Sequence, residues 1–206
     1  MLKLYGRPNS INVQKALFCV EDLGIEYELV LAGRGHGVSD TPEFLAMNPN
    51  GLVPVIDDDG FILWESNAIV RYLSAKHGAG TLWPDDLPTR ASADRWMDWQ
   101  TTGFSPAYGP AFYTLIRVPE PERDPAQVEA GRKAGEAAAK ILDSWLGDHR
   151  FVAGDTFTMG DIAIGAAVHR WLNLPLERKP AANLERYYGE VMERASAQKA
   201  LPLPVT

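Results

Sequence analysis

Ser10 and Asn12 stand where a short apolar strand gives way to a helical pattern, and their types and position suit anion chemistry. The first backbone N–H groups of a helix lack intrahelical acceptors and lie at the positive end of the helix dipole. A hydroxyl or amide added there gives a further donor toward an anion such as a thiolate. Val53-Pro54 is the second feature. A proline opening a strand is unusual inside a sheet, and a cis Val–Pro bond accommodates it. The N–H and C=O of Val53 would then face a groove and pair with an extended peptide, as an added strand does. Glu65-Ser66, at the start of a later helix, is the third. Ser66 can cap there, and the free N–H groups make a carboxylate site. Taken singly, Ser10 and Ser66 also read as plain N-caps and Pro54 as an edge-strand proline.

The elements around these residues give them a common address. Lys3-Leu4-Tyr5 reads as a first strand, and Arg7 to Ser10 as a turn. Val13, Ala16, Leu17 and Val20 recur at helical spacing as far as Gly24. Tyr27, Leu29 and Leu31 suit a second strand, parallel to the first through a right-handed crossover. A glycine-rich loop from Gly33 to Asp40 precedes a short helix opened by Thr41-Pro42. Val53 to Ile56 and Phe61 to Trp64 read as an antiparallel hairpin around Asp57 to Gly60, followed by a helix that ends near Gly78. This order, βαβ then short helix, hairpin and helix, is thioredoxin-like. It brings the first helix start, the loop before strand three and the last helix start to one sheet edge. Such an edge suits a short peptide with a thiol at one end and carboxylates at the other.

After the Gly- and Pro-rich residues 79–88 the pattern is helical throughout. Expected domains are therefore 1–78, a linker at 79–88 and an all-helical bundle at 89–206. Ala130, Ala134, Ala137, Ile141, Trp145 and Leu146 form one apolar stripe. Ile162 to Val168 is apolar all round and should be central, entered through a Thr158/Asp161 capping box with Phe157 as a staple. Gly103 to Pro110 should break or kink its helix. Phe104, Tyr108, Phe112 and Tyr113, with Trp171 closing over them, either line a pocket between the domains or pack in the helical core. The tail from Leu201 to Thr206 should be frayed or draped on the surface.

Composition excludes several classes. Among 206 residues the net charge is −7. The first eighty residues carry 6 basic and 10 acidic side chains, the remainder 14 and 17. Neither part suits a phosphate backbone or an anionic membrane. No apolar run approaches the ~20 residues of a membrane span, and the start lacks an apolar signal region, so a cytoplasmic protein is expected. A lone cysteine, Cys19, permits neither an internal disulfide nor a Cys-x-x-Cys pair, and the four histidines show no metal spacing. Ser10 has no Ser-His-Asp arrangement to make it a nucleophile.

The stretches Tyr5 to Tyr27, Pro42 to Ile56 and Trp64 to Leu73 resemble the N-terminal domain of cytosolic glutathione S-transferases, and the Thr158 to Asp161 box resembles that family's helical-domain staple. Ser10-x-Asn12 is similar to the pattern of bacterial theta- or nu-like members. The resemblance implies that Ser10 or Asn12 binds the glutathione sulfur, that the main chain of Val53 before Pro54 pairs with the cysteinyl unit, and that Glu65 and Ser66 hold the γ-glutamyl end. His36 lies near a histidine that some classes use for the glycyl carboxylate. Leu52 departs from the Lys or Gln that many relatives carry, which removes a carboxylate contact. The implied activity is detoxification by attack of glutathione, the co-substrate, on a small hydrophobic electrophile, in a homodimer that needs no metal. Glutathione-dependent disulfide reduction and a non-catalytic binding module are the alternatives.

Overall fold

The computed structural model describes residues 1–205. Its first half is a four-stranded sheet in the order β2-β1-β3-β4. The strands are β1 (Leu2–Gly6), β2 (Tyr27–Leu31), β3 (Val55–Asp58) and β4 (Phe61–Trp64). β1 runs parallel to β2 and antiparallel to β3, which pairs antiparallel with β4. Helices α1 (Ile11–Asp22), α2 (Pro42–Met47) and α3 (Ser66–His77) complete this half. Alternation places Leu2 and Leu4 under α1 and α3 while Tyr5 meets Phe44 of α2 edge to face, so both sheet faces are covered.

β3 begins two residues later than the spacing at Val53 suggests, because Pro54 has no N–H for the ladder and the Val53–Pro54 bond is cis. The hairpin is correspondingly tight. Asp57 and Asp58 belong to the strand, and the turn is Asp59-Gly60, both with positive φ. The Gly60 N–H donates to Asp57 Oδ1 at 2.7 Å.

The second half is helical: α4 (Leu87–Trp99), α5 (Ser105–Arg117), α6 (Pro125–Asp148), α7 (Met159–Leu172), α8 (Ala182–Met192) and α9 (Ala195–Ala200). The expected break near Gly103 takes the form of one π-helical turn, Gln100–Phe104, that joins α4 to α5 without a loop. α7 is the central helix, buried from Met159 to Trp171. Phe157 packs on Phe18 of α1 at 5.8 Å and on Phe151 at 5.7 Å, so the entry to α7 also anchors the sheet half. One continuous core runs through both halves. Leu201 is buried and Leu203 exposed in the tail; Thr206 lies outside the described residues. No described helix is long and apolar enough to cross a membrane.

The α6 stripe is displaced from its expected place. Ile141 is 56% exposed, and Ala130, Ala134 and Ala137 also face outward. The buried face runs through Gly131, Gly135, Ala139, Leu142 and Leu146. The reason is close approach: a Cβ on Gly131 would sit 2.4 Å from the Ala111 nitrogen, and one on Gly135 2.5 Å from the Trp171 ring. Glycine permits the contact while contributing nothing to an apolar count.

Asp161 organises the start of α7. Its carboxylate is fully buried and accepts from the N–H groups of Val152 (3.0 Å) and Thr158 (2.9 Å), the Thr158 hydroxyl (3.1 Å) and the Tyr187 hydroxyl (3.1 Å). Burial pushes its pKa up to about 6 against the opposing pull of these donors. Asp161→Ala would strand four buried donors and is expected to cost about 3 kcal/mol or more. Urea unfolding checks this, and a loss below about 1 kcal/mol would show that the box is dispensable.

Candidate active site

A groove of about 400 Å³ opens along the sheet edge. Its walls include Ser10 and Asn12 from α1, Leu52, Val53 and Pro54 from the loop before β3, and Glu65 and Ser66 from the start of α3. The structure thus brings together seven residues that lie up to 56 positions apart in the chain.

Each arrives by a local device. Arg7 to Asn9 form a turn closed by the Ser10 N–H on the Arg7 carbonyl at 3.1 Å, and the first helical bond of α1 runs from the Gln14 N–H to the Ser10 carbonyl at 2.8 Å. The N–H groups of Ile11, Asn12 and Val13 therefore remain at the open end of α1. The Ser10 and Asn12 side chains make no hydrogen bond with any described residue. Ser10 occupies the N-cap position without using its hydroxyl as a cap, which leaves that hydroxyl available to a ligand.

Asn48, only 2% exposed, sets the second wall. Its Nδ2 donates to the Leu52 carbonyl at 2.8 Å, while its Oδ1 accepts from the N–H and side chain of Asn50 at 3.1 and 2.9 Å. This brace presents Val53, whose main-chain N–H and C=O are used by no described residue. At the third wall Glu65 has φ 70°, a left-handed conformation rare for a residue with a side chain. Such strain persists only where the surroundings hold it and is common at ligand sites. Glu65, and not Ser66, is the N-cap of α3, with no side-chain cap bond. Ser66 occupies the first turn.

The remaining expected residues lie elsewhere. His36 is exposed on the Gly33–Gly37 turn, outside the groove lining; from that loop the groove takes Gly33, Arg34 and Ser39. Phe104, Tyr108 and Trp171 are at most 2% exposed and pack in series, with Phe104–Tyr108 centroids at 5.3 Å and Tyr108–Trp171 at 5.9 Å. Trp171 also borders a second cavity, beside α6. Phe112 is half-buried and Tyr113 is 58% exposed. Cys19 is wholly buried, its thiol pushed up to about 12 mainly by burial, and takes no part in the groove.

Three contributors have no clear signature in the sequence. Arg7 and Arg34 line the groove. Each is a charged residue in a turn, ordinarily solvent-facing. Lys15 is the third, with 1% of its surface exposed. Its Nζ donates to Asn67 Oδ1 at 2.9 Å and to Gln100 Oε1 at 3.0 Å. Asn67 donates in turn to the Met97 carbonyl (2.7 Å) and Thr101 Oγ1 (3.0 Å), and Gln100 to Ser105 Oγ (2.7 Å). Lys15 thereby fixes the start of α1 against the start of α3 and against the π-helical turn. Its position beside the apolar stripe of α1 was the available hint.

Burial lowers the Lys15 pKa to about 7; Glu65 opposes the shift, while Arg71 and Arg170 reinforce it. A neutral amine still has protons enough for both acceptors. The folded value lies below the ordinary lysine value. Above pH ~7 the unfolded chain therefore binds the extra proton, and folding stability rises with pH until the unfolded lysine also titrates. Lys15→Met should remove that rise. Paired denaturant titrations near pH 7 and about two units higher test it; a wild-type-minus-variant difference that does not change with pH would contradict it.

Residues 1–75 match the family model described as glutathione S-transferase, N-terminal domain, and residues 125–190 the one described as glutathione S-transferase, C-terminal domain. The chain is 44% identical over 208 aligned residues to Glutathione S-transferase GstB of Escherichia coli (strain K12), covering 100% of both chains. It is 32% identical to Glutathione S-transferase 3 of Zea mays, covering 98% of this chain and 96% of that one. Its structure is similar to that of the theta class glutathione S-transferase of Xanthomonas axonopodis pv. citri with glutathione bound, at TM-score 0.96 and 38% identity over 100% of this chain and 99% of that one. With both halves matched and a relative similar along its whole length, the chain belongs to the glutathione S-transferase family.

Proposed function

We propose that this protein is a glutathione S-transferase of theta-like, Ser-x-Asn type, holding glutathione in the sheet-edge groove as a thiolate that attacks a small electrophile. The observation that carries the reading is the convergence of the α1 start, the free main chain of Val53 and the α3 start on one groove. The spacing of a γ-glutamyl carboxylate, a peptide backbone and a thiol along a tripeptide follows the same order. The Xanthomonas relative, whose structure has glutathione bound, supports the choice of ligand.

In this reading the γ-glutamyl carboxylate meets the free N–H groups of Ser66 and Asn67, with Glu65 taking the ammonium. The main chain of Val53 pairs with the cysteinyl unit. The sulfur lies at the start of α1, where Ser10, Asn12 and the first-turn N–H groups favour its charged form. A free thiol has a pKa of about 8.5, so a depression of one to two units corresponds to roughly 1.4–2.7 kcal/mol and raises the thiolate share at pH 7 from about 3% to roughly 25–75%. The protein's further contribution is proximity between that sulfur and the second substrate. Arg34 supplies the cation that Leu52 does not, against the glycyl carboxylate. The functional unit is a homodimer, with residues 1–78 as the glutathione-binding domain and 89–206 as the helical domain.

Rate-versus-pH profiles with an aryl halide and with a mixed disulfide test the reading. Ser10→Ala and Asn12→Ala, singly or together, should move the acidic limb of the aryl-halide profile upward by about one pH unit. Unchanged profiles in both would remove these donors from the mechanism, and turnover of the disulfide alone would favour the reductase reading. Arg34→Ala should raise the KM for glutathione about fivefold, in keeping with ~1 kcal/mol for an exposed ion pair. Saturation curves at fixed electrophile measure this, and an unchanged KM would exclude Arg34 from the glycyl end.

A further inference from the structure

The chain as a whole is acidic, with net charge −7, yet Arg7, Arg34, Arg117 and Arg170 lie close enough for their charges to act on one another. Arg7, three residues before Ser10, lines the groove. Arg170 projects from α7 with 8% of its surface exposed, its guanidinium carbon 4.1 Å from the centre of the Phe112 ring. Arg117 approaches the same ring at 5.4 Å. Arg7 and Arg170 each have a buried Nε with no acceptor among the described residues, two of only four such side-chain atoms there.

The electrostatics agree with the geometry. Burial is the main cause that lowers the Arg170 pKa, to about 10; Tyr108 opposes it, and Arg117 and Arg7 add to it. Burial also lowers that of Arg7, and the charges acting on it are Arg117 and Arg34. No carboxylate of a described residue is among the charges acting on either group. Guanidinium groups gathered away from water repel one another, and a bound anion offsets that cost. Arg is also the side chain best shaped for a carboxylate, with two parallel N–H donors.

Glutathione's own carboxylates are accounted for elsewhere in the proposed reading, at the start of α3 and beside Arg34. Arg170 and Phe112 belong to the helical half, and Arg7, which lines the groove, is near enough for its charge to act on Arg170. We propose that the second half of this site selects an electrophile that itself bears a carboxylate, gripped by Arg170 with Arg7 alongside, while Phe112 covers its apolar part. This rests on the transferase reading above. For an aryl chloride the step is balanced within the pair. The thiolate sulfur forms a bond to the ring carbon, the carbon–chlorine bond breaks, chloride leaves with its electron pair, and the thiol proton has gone to solvent.

A matched pair of substrates isolates the charge: a chloronitrobenzoate and the corresponding chloronitrobenzamide. The quantity read is kcat/KM for the benzoate divided by that for the benzamide, compared between proteins so that intrinsic reactivity cancels. Arg170→Met should lower this ratio about tenfold and Arg170→Lys should largely restore it. In the wild type, raising ionic strength from about 0.05 M to about 0.5 M should lower the ratio as well, which decides the matter even if Arg170→Met does not fold. A ratio indifferent to salt, or indifferent to both substitutions, overturns anion selection while leaving transferase activity intact. An equal loss for both substrates in Arg170→Met but not in Arg170→Lys overturns it too, because the cation would then serve the sulfur. Failure of the wild type to turn over either compound removes the transferase reading and this proposal with it.

Discussion

The buried amine of Lys15 is the contact on which the site's geometry depends. One nitrogen joins α1, which carries Ser10 and Asn12, to Asn67, the neighbour of Ser66 on α3, and to Gln100 of the π-helical turn in the helical half. Neither helix start is useful alone. A ligand that spans a thiol and a distant carboxylate needs both at a fixed separation, and sheet register alone does not set the approach of two helices packed on the same face. A polar tie whose every partner is satisfied does so at low conformational freedom. An unsatisfied member would cost more than the network contributes, which is why Asn67 and Gln100 are themselves bonded to Met97, Thr101 and Ser105.

Much of the fold was legible because its signals are local. Proline and glycine punctuate the sheet half, the periods of two and 3.6 alternate cleanly, and the Thr158/Asp161 box marks the entry to a helix that is apolar all round. The three walls of the groove were legible for the same reason, since each coincides with an element boundary. What escaped depends on distance in space. Gly131 and Gly135 carry the buried face of α6 by having no side chain, so an apolar count selects the wrong stripe. Phe104 and Tyr108 were candidates for an open pocket because a Gly-Pro-rich segment suggests a break. A π-helical turn keeps the helix continuous instead and turns both rings inward. Lys15, Arg7 and Arg34 were hidden by their charge, which ordinarily means exposure.

The division of labour between the two halves follows from these contacts. The sheet half offers main chain and helix termini, which in the proposed function meet features common to any glutathione molecule. The helical half offers side chains, with Arg117 and Arg170 both over the Phe112 ring. The anchoring of Phe157 on Phe18 and of Lys15 on Gln100 holds the two at one junction. An acidic chain thus places Arg7 and Arg34 in its groove, and in the proposed function its long-range charge disfavours polyanions while these side chains favour a small anion.

The central claim is that the groove binds glutathione with its sulfur ionised. Thiolates absorb in the ultraviolet where thiols do not, so a pH titration of the difference spectrum between the complex and its separate components reads the ionisation of the bound sulfur directly. The account predicts a midpoint roughly one to two units below that of free glutathione. A midpoint at the free value, or no difference spectrum at saturating ligand, would contradict it.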